Sequence, residues 1–456
     1  MSGSSEAKWG GSSPFGVERV VPLWDAMRRV TAALTQLGLT PELIDVGRGG
    51  DPSAWSCRLL TEEGASPPMA QGMGKGRREE ARAGALFEAL EHYLTGPDWF
   101  DPTSVELVES AHIVTGPLRR EACSVLLART PGARLGCCRY RALGGGREIP
   151  VPLFLWAPWY AETWAGSLRE RAGDVCDYGQ LMRYSCNSGS AVGVTAAEAL
   201  LHALNETIER DALSLLLVRA FLCDADFRPT VIDPATLPHD LARAYSAAER
   251  LTGSPVYLLD ITSGLNVPTM LAYTAPTSRR PHRRGAGTSL SASYAAWRAL
   301  TELVQTTLGE TLSGADAPVR DEPPRLADCP ELHACWRFDL TDHLRDARTI
   351  PYSHAGGTPD HPSDQLSELI SILSAHGYIP YWRLVAALPE EIVAVHAVVP
   401  GLERFMLIID GNLVLPGQRG HDVVRKDAGA AALLGEPRTH QGKAVDRSCP
   451  PAWRGC

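Results

Sequence analysis

No stretch of the 456-residue chain is apolar for long enough to span a bilayer, and its opening MSGSSEAKWGGSSPFG has no apolar export core. A membrane partner is therefore not expected, and the cytoplasm is the expected compartment. Nor is there any long run of Lys and Arg, and the formal net charge is −9, so nucleic acid is not expected as a partner. The phosphate-loop pattern G-x-x-x-x-G-K-[ST] is missing as well, so any nucleotide chemistry must be built in another way. Among 11 cysteines no C-x-x-C pair occurs, and the number is odd; free thiols are expected instead of a disulfide framework. Cys329, His333 and Cys335 lie close together in CPELHAC, but their spacing fits no usual zinc pattern.

What the chain does have is a repeated acidic pattern on three predicted helices. Ala85-Leu86-Phe87-Glu88-Ala89-Leu90-Glu91 and Ala203-Leu204-Asn205-Glu206-Thr207-Ile208-Glu209 both read A-L-x-E-x-x-E or its near equivalent. Ala299-Leu300-Thr301-Glu302-Leu303-Val304-Gln305 repeats the pattern with an amide at the last position. Residues three apart on a helix share a side, so each segment presents a paired set of oxygen ligands. One such helix is unremarkable, because Ala, Leu and Glu are favoured helix formers and helical Glu is normally solvated. Three that meet would bring Glu88, Glu91, Glu206, Glu209, Glu302 and Gln305 into one pocket. Carboxylates so close cannot all stay ionised without cations among them, and Mg²⁺ shared with phosphates suits a set of hard oxygen ligands. The expectation is a metal–nucleotide site.

Each acidic helix follows a segment rich in Gly or Ser, QGMGKG, SCNSGSAVG or GAGTSLSAS, expected to supply turns and backbone N–H groups for an anion. With these neighbours included, SGSAVGVTAAEALLHALNETIERDA closely resembles the signature of the YcaO family. GKGRREEARAGALFEALEHY and GTSLSASYAAWRALTELVQ resemble its other two motifs in the same chain order, and VVPGLERF at 398–405 resembles a late strand. The likeness spans roughly residues 60–415.

The resemblance implies a YcaO-like α+β fold, mixed sheets carrying acidic ligand-bearing helices, with ATP and Mg²⁺ as cofactors. It implies an enzyme that phosphorylates a backbone amide oxygen of a ribosomally made precursor peptide. The outcome would be an azoline or amidine ring, or a thioamide if a sulfur-transfer partner takes part; a non-catalytic peptide-binding scaffold is the contrasting reading. Glu88, Glu91, Glu206, Glu209 and Glu302 are the metal candidates. Lys75, Asn205, Arg210, Arg298 and Gln305 are the nucleotide candidates, Lys75 lying in a glycine loop and Arg298 one turn before Glu302. Gly84 stands where family members often carry Ser. No general base is named by the sequence. A separate leader-recognition protein and a homodimer are both open.

The chain divides into a flexible tail at 1–16, a small αβ element at 17–60, a catalytic domain at 61–415 and a C-terminal tail at 416–456. The tail ends SCPPAWRGC and lacks the alternating P-x-P-x-P of azoline-forming members. Within the catalytic region, 151–160 mixes aromatic and apolar residues and fits either core or a peptide groove. SPVYLLDITS and VPTMLAYTAP predict neighbouring strands, and the polar, proline-bearing 309–364 predicts a loop or lid.

Overall fold

The computed structural model describes residues 18–433 except Pro131, 224–226, 278–279, 313–322, 324–325, Ala327 and 354–356. The expected tail at 1–16 and residues 434–456 of the expected C-terminal tail lie outside the described residues; the earlier part of that C-terminal tail includes the helix Gln418–Leu433. The polypeptide opens with the helix Leu23–Gln36, whose Val30, Ala33 and Leu34 are buried. β1 (Thr40–Asp45), β2 (Ser53–Leu60) and β3 (Gln71–Gly76) follow as an antiparallel meander. β3 leads into the first acidic helix, Arg78–Leu94. Leu86, Ala89 and Leu90 of that helix share one core with Val30 and Leu34, so residues 17–60 and the first acidic helix pack as neighbours.

β4 (Glu106–Glu109), β5 (Arg134–Ala142), β6 (Ile149–Pro152) and β7 (Ser190–Gly193) belong to a six-stranded sheet. β7 feeds the central helix, Ala196–Phe221, whose first turn is capped by the Thr195 hydroxyl accepting from the Glu198 N–H at 3.2 Å. β8 (Thr230–Ile232), β9 (Tyr257–Asp260), β10 (Thr269–Thr274), β11 (Arg283–Thr288) and β12 (Arg348–Ile350) make a five-stranded sheet in the order β11-β10-β9-β8-β12. β11 leads into the third acidic helix, Ala292–Leu312. β13 (Tyr381–Ala387) and β14 (Val393–Val398) complete the six-stranded sheet, ordered β4-β5-β13-β14-β7 with β6 on β5. The α+β class with mixed sheets is as expected: β12 runs parallel to β8, and the other pairings are antiparallel.

One architectural rule places the site. β3, β7 and β11 each lie at an end of their own sheet, and each is followed within a few residues by an acidic helix packed against it. Each helix also touches the next unit's strand: the first meets β7, the central meets β11 and the third meets β3. Three strand–helix units therefore close into a ring, with the acidic patterns at their junction.

The glycines before the helices serve this packing. A Cβ at Gly74 would fall 1.8 Å from the Ala81 carbonyl oxygen, and one at Gly285 would fall 2.2 Å from the Leu303 nitrogen. QGMGKG is thus strand instead of loop, and GAGT of the third segment is strand too. Their glycines let helix and strand backbones touch, where tight turns and an anion cradle were expected from the sequence. Residues 151–160 are core instead of groove: Val151, Phe154, Trp156, Trp159 and Tyr160 are all buried. Within 309–364, expected as loop, the structure has helices Pro330–Arg337 and Thr341–Arg345 and strand β12. Cys329 is disulfide-bonded, against the expectation of free thiols throughout. The predicted β9–β10 pair is present as an antiparallel ladder.

Candidate active site

The central helix supplies the middle of the cluster. Glu206 and Glu209 stand three residues apart, and Arg210 reaches both: Nη2 lies 3.0 Å from Glu206 Oε1 and Nη1 lies 3.8 Å from Glu209 Oε1. The Gly189 N–H, from the turn before β7, donates to Glu206 Oε2 at 2.9 Å. Glu209 is 3% exposed, and its Oε2 is buried with no hydrogen-bond partner.

The flanking helices close on these groups. Burial pushes the Glu88 carboxyl up to about 7; Lys75 opposes that rise, and the charges of Glu302 and Glu206 add to it. Glu91 is pushed well above the carboxylate range by burial and by Glu206 and Glu88. Burial also raises Glu209, with Glu302 as its strongest charged neighbour of like sign. Glu302 moves the other way, because Lys75, Arg210 and Arg298 outweigh its burial. Its carboxylate takes the Lys75 ammonium in an ion pair and the Ala286 N–H at 3.4 Å. The five carboxylates named from the sequence therefore meet, as the three-helix pattern predicts.

Surrounded as they are, several of these side chains remain partly exposed. Lys75 is 20% exposed, Glu302 27%, Glu206 21% and Arg210 26%, so a ligand can reach them from solvent. Among the described residues no three His, Cys, Asp or Glu side chains form a ready-made metal cage. The chain's own cations, Lys75 and Arg210, stand among the acids instead.

The remaining candidates divide. Gln305 donates its amide to the Met73 carbonyl, fastening the third acidic helix to β3. Asn205 is 1% exposed; its Nδ2 donates to Glu18 Oε1 at 3.3 Å, and its Oδ1 is buried without a partner. Arg298 Nη1 lies 3.1 Å from His202 Nδ1, while its Nε is also unpartnered. Burial and the charges of Arg298, Arg19 and Lys75 hold His202 well below its usual range, so the ring is neutral and Nδ1 accepts. Asn187 is spent locally, accepting from the Ser190 hydroxyl at 2.7 Å.

Sequence reasoning missed Glu18, His202 as Arg298's partner, and Ser289, whose hydroxyl donates to Glu18 Oε1 at 2.5 Å. His202 was legible: it sits four residues before Glu206, as Arg298 sits four before Glu302. Glu18 had no pattern to announce it.

The donor set suits a hard divalent cation and a polyanion. It offers clustered carboxylates, an unpaired buried Glu209 oxygen and two cationic side chains suited to phosphate. A model of the family described as YcaO cyclodehydratase, ATP- and Mg²⁺-binding, matches residues 73–403. The chain belongs to the YcaO family. That membership carries a class of chemistry, ATP- and Mg²⁺-dependent cyclodehydration. An uncharacterized protein of Methanothermobacter thermautotrophicus is 28% identical over 82% of the chain and 91% of its own length. The YcaO of Methanopyrus kandleri, solved with AMPPCP and Mg²⁺, is similar in fold with a TM-score of 0.60 at 19% identity, covering 89% of this chain and 98% of its own. A heterocyclase solved in complex with substrate and cofactor also gives 0.60, at 16% identity over 84% of the chain. The chain spans about half, 52%, of that heterocyclase's length.

Proposed function

We propose that this YcaO protein binds Mg²⁺ through Glu88, Glu91, Glu206, Glu209 and Glu302, the phosphates of ATP through Lys75 and Arg210, and the nucleotide also through Arg298. Its substrate is a ribosomally made precursor peptide, and its reaction is activation of a backbone amide oxygen. The observation that carries this reading is the meeting of five carboxylates from three sequence-distant helices around an unpaired buried carboxylate oxygen.

The bound nucleotide would supply the phosphoryl group that turns an amide oxygen into a leaving group, with Mg²⁺ balancing its charge. The protein's own part is positional and electrostatic. Arg210 straddles Glu206 and Glu209, so it can swing from carboxylate to phosphate without leaving the site. Lys75 sits on the stiff edge of β3 and faces the third acidic helix through Glu302. A small hollow lined by Cys186, Ser188, Thr207, Arg210, Arg404 and Met406 adjoins Arg210. Ring closure to an azoline or amidine is the favoured product. Thioamidation would need a sulfur-transfer partner. A silent scaffold is disfavoured, because all five carboxylates are present and converge.

Calorimetry with Mg²⁺–ATP tests the site. Binding by the wild type and its loss by at least about a hundredfold in Glu206→Ala and Glu209→Ala, with unchanged circular dichroism, is expected. Unaltered affinity in both variants would remove the site. For the reaction, mass spectrometry of a candidate precursor incubated with enzyme, ATP and Mg²⁺ should show loss of one water per modified residue. Exchange of oxygen for sulfur would assign thioamidation instead.

A further inference from the structure

Beside the acidic cluster, on the central and third helices, lies a second set of polar groups. Arg298 stands four residues before Glu302 on the third helix, and Asn205 stands immediately before Glu206 on the central one. Between them sits Glu18, only 7% exposed, from the segment ahead of the first helix. Its Oε1 accepts from Asn205 Nδ2 at 3.3 Å and Ser289 Oγ at 2.5 Å. No donor among the described residues reaches its Oε2. The segment is anchored next door, where Arg19 Nη1 and the Val20 N–H hold Glu198 at 2.9 and 3.1 Å.

This set of side chains differs in chemistry from the acidic cluster. It combines a buried carboxylate with the Asn205 Oδ1 and Arg298 Nε atoms, both buried and unpartnered. Tyr294 is close enough for the charges of Glu18, Arg19 and Arg298 to act on its phenol. Vicinal hydroxyls are donors that a carboxylate accepts, while the cations open to phosphate, Lys75 and Arg210, stand at the acidic cluster. We propose that Glu18 is the acceptor for the ribose hydroxyls of the nucleotide. It thereby fixes which way the ligand lies, nucleoside toward Glu18 and phosphates toward Lys75 and Arg210. This deepens the ATP reading and rests on it. The residue comes from outside the 73–403 match to the family model, so the site is completed by the N-terminal segment.

The test is calorimetry of the full chain with Mg²⁺ and ATP, 2′-deoxy-ATP, 3′-deoxy-ATP or inorganic tripolyphosphate, on the wild type and Glu18→Gln. Glutamine keeps an oxygen for Asn205 and Ser289. The wild type should bind at least one deoxy analogue roughly tenfold more weakly than ATP, which needs no variant to fold. Glu18→Gln should bind ATP about tenfold more weakly and no longer distinguish that analogue, while tripolyphosphate binds both proteins alike. Equal affinity of the wild type for ATP and both deoxy analogues overturns the assignment. So does tighter ATP binding by Glu18→Gln, which would make the carboxylate an obstacle to the nucleotide. Absence of any Mg²⁺–ATP binding by the wild type overturns the ATP reading, and this assignment with it.

Discussion

His396 shows how a single buried ring sets a pH response. On β14, its Nδ1 lies 2.8 Å from the Tyr140 hydroxyl and its Nε2 lies 3.1 Å from the Ser188 carbonyl. The consistent arrangement is a neutral imidazole, accepting from Tyr140 and donating to Ser188. Burial and the Arg404 and Arg383 charges hold its pKa down at about 3. Between about pH 6.5 and that value the unfolded chain binds the proton and the folded chain does not. Its stabilising contribution is therefore complete above about 6.5 and is lost as pH falls toward 3. Replacing His396 with Gln should flatten the fall in melting temperature between pH 7 and 5 relative to wild type. A parallel fall in both proteins would contradict the neutral-ring account. The comparison is needed because Glu88 and Glu403, both raised to about 7, work in the opposite sense. None of this was readable beforehand: in VAVHAV the histidine is one polar letter in an apolar strand, whereas Glu206 and Glu209 belong to a pattern that recurs.

The strand–helix unit is where the sequence misled most usefully. Gly72, Gly74, Gly285 and Gly287 alternate along their strands, a period that marks one face of a strand as readily as a flexible loop. The helices opposite carry Ala81, Ala85 and Ala89, or Ala295 and Ala299, at four-residue spacing. Small residues on both surfaces bring the backbones together, and that in turn aims Glu88 and Glu302 inward. Gly74→Ala should cost about 3 kcal/mol in urea unfolding, because the methyl has a backbone carbonyl and not a mobile side chain to displace. The same substitution at Gly84, where a Cβ would meet Gly74 Cα at 3.2 Å, should be milder. If Gly74→Ala were neutral, the close-packing explanation for these glycines would fail. The acidic helices and the β9–β10 pair were legible because their periodicity is long and their flanks are clear. The short helices within 309–364 were not, since one or two turns among prolines leave no period to detect.

At the level of the complete chain, the ring ties the N-terminal element to the site. β1 and β2 complete the sheet whose end strand, β3, carries Lys75. The helix Leu23–Gln36 supplies Val30 and Leu34 to the core under the first acidic helix. Removing residues 1–60 should therefore yield a chain that is insoluble or lacks a cooperative thermal transition; a soluble truncated protein still binding Mg²⁺–ATP would show that the element is dispensable.

Three sheets joined through a shared cyclic seam cannot readily loosen one at a time without parting the acidic cluster at its centre. Whatever is clasped by that cluster therefore acts as a keystone. Saturating Mg²⁺–ATP should raise the melting temperature of the entire polypeptide in a single step, with the sheets farthest from the ligand gaining protection from hydrogen exchange alongside the nearest.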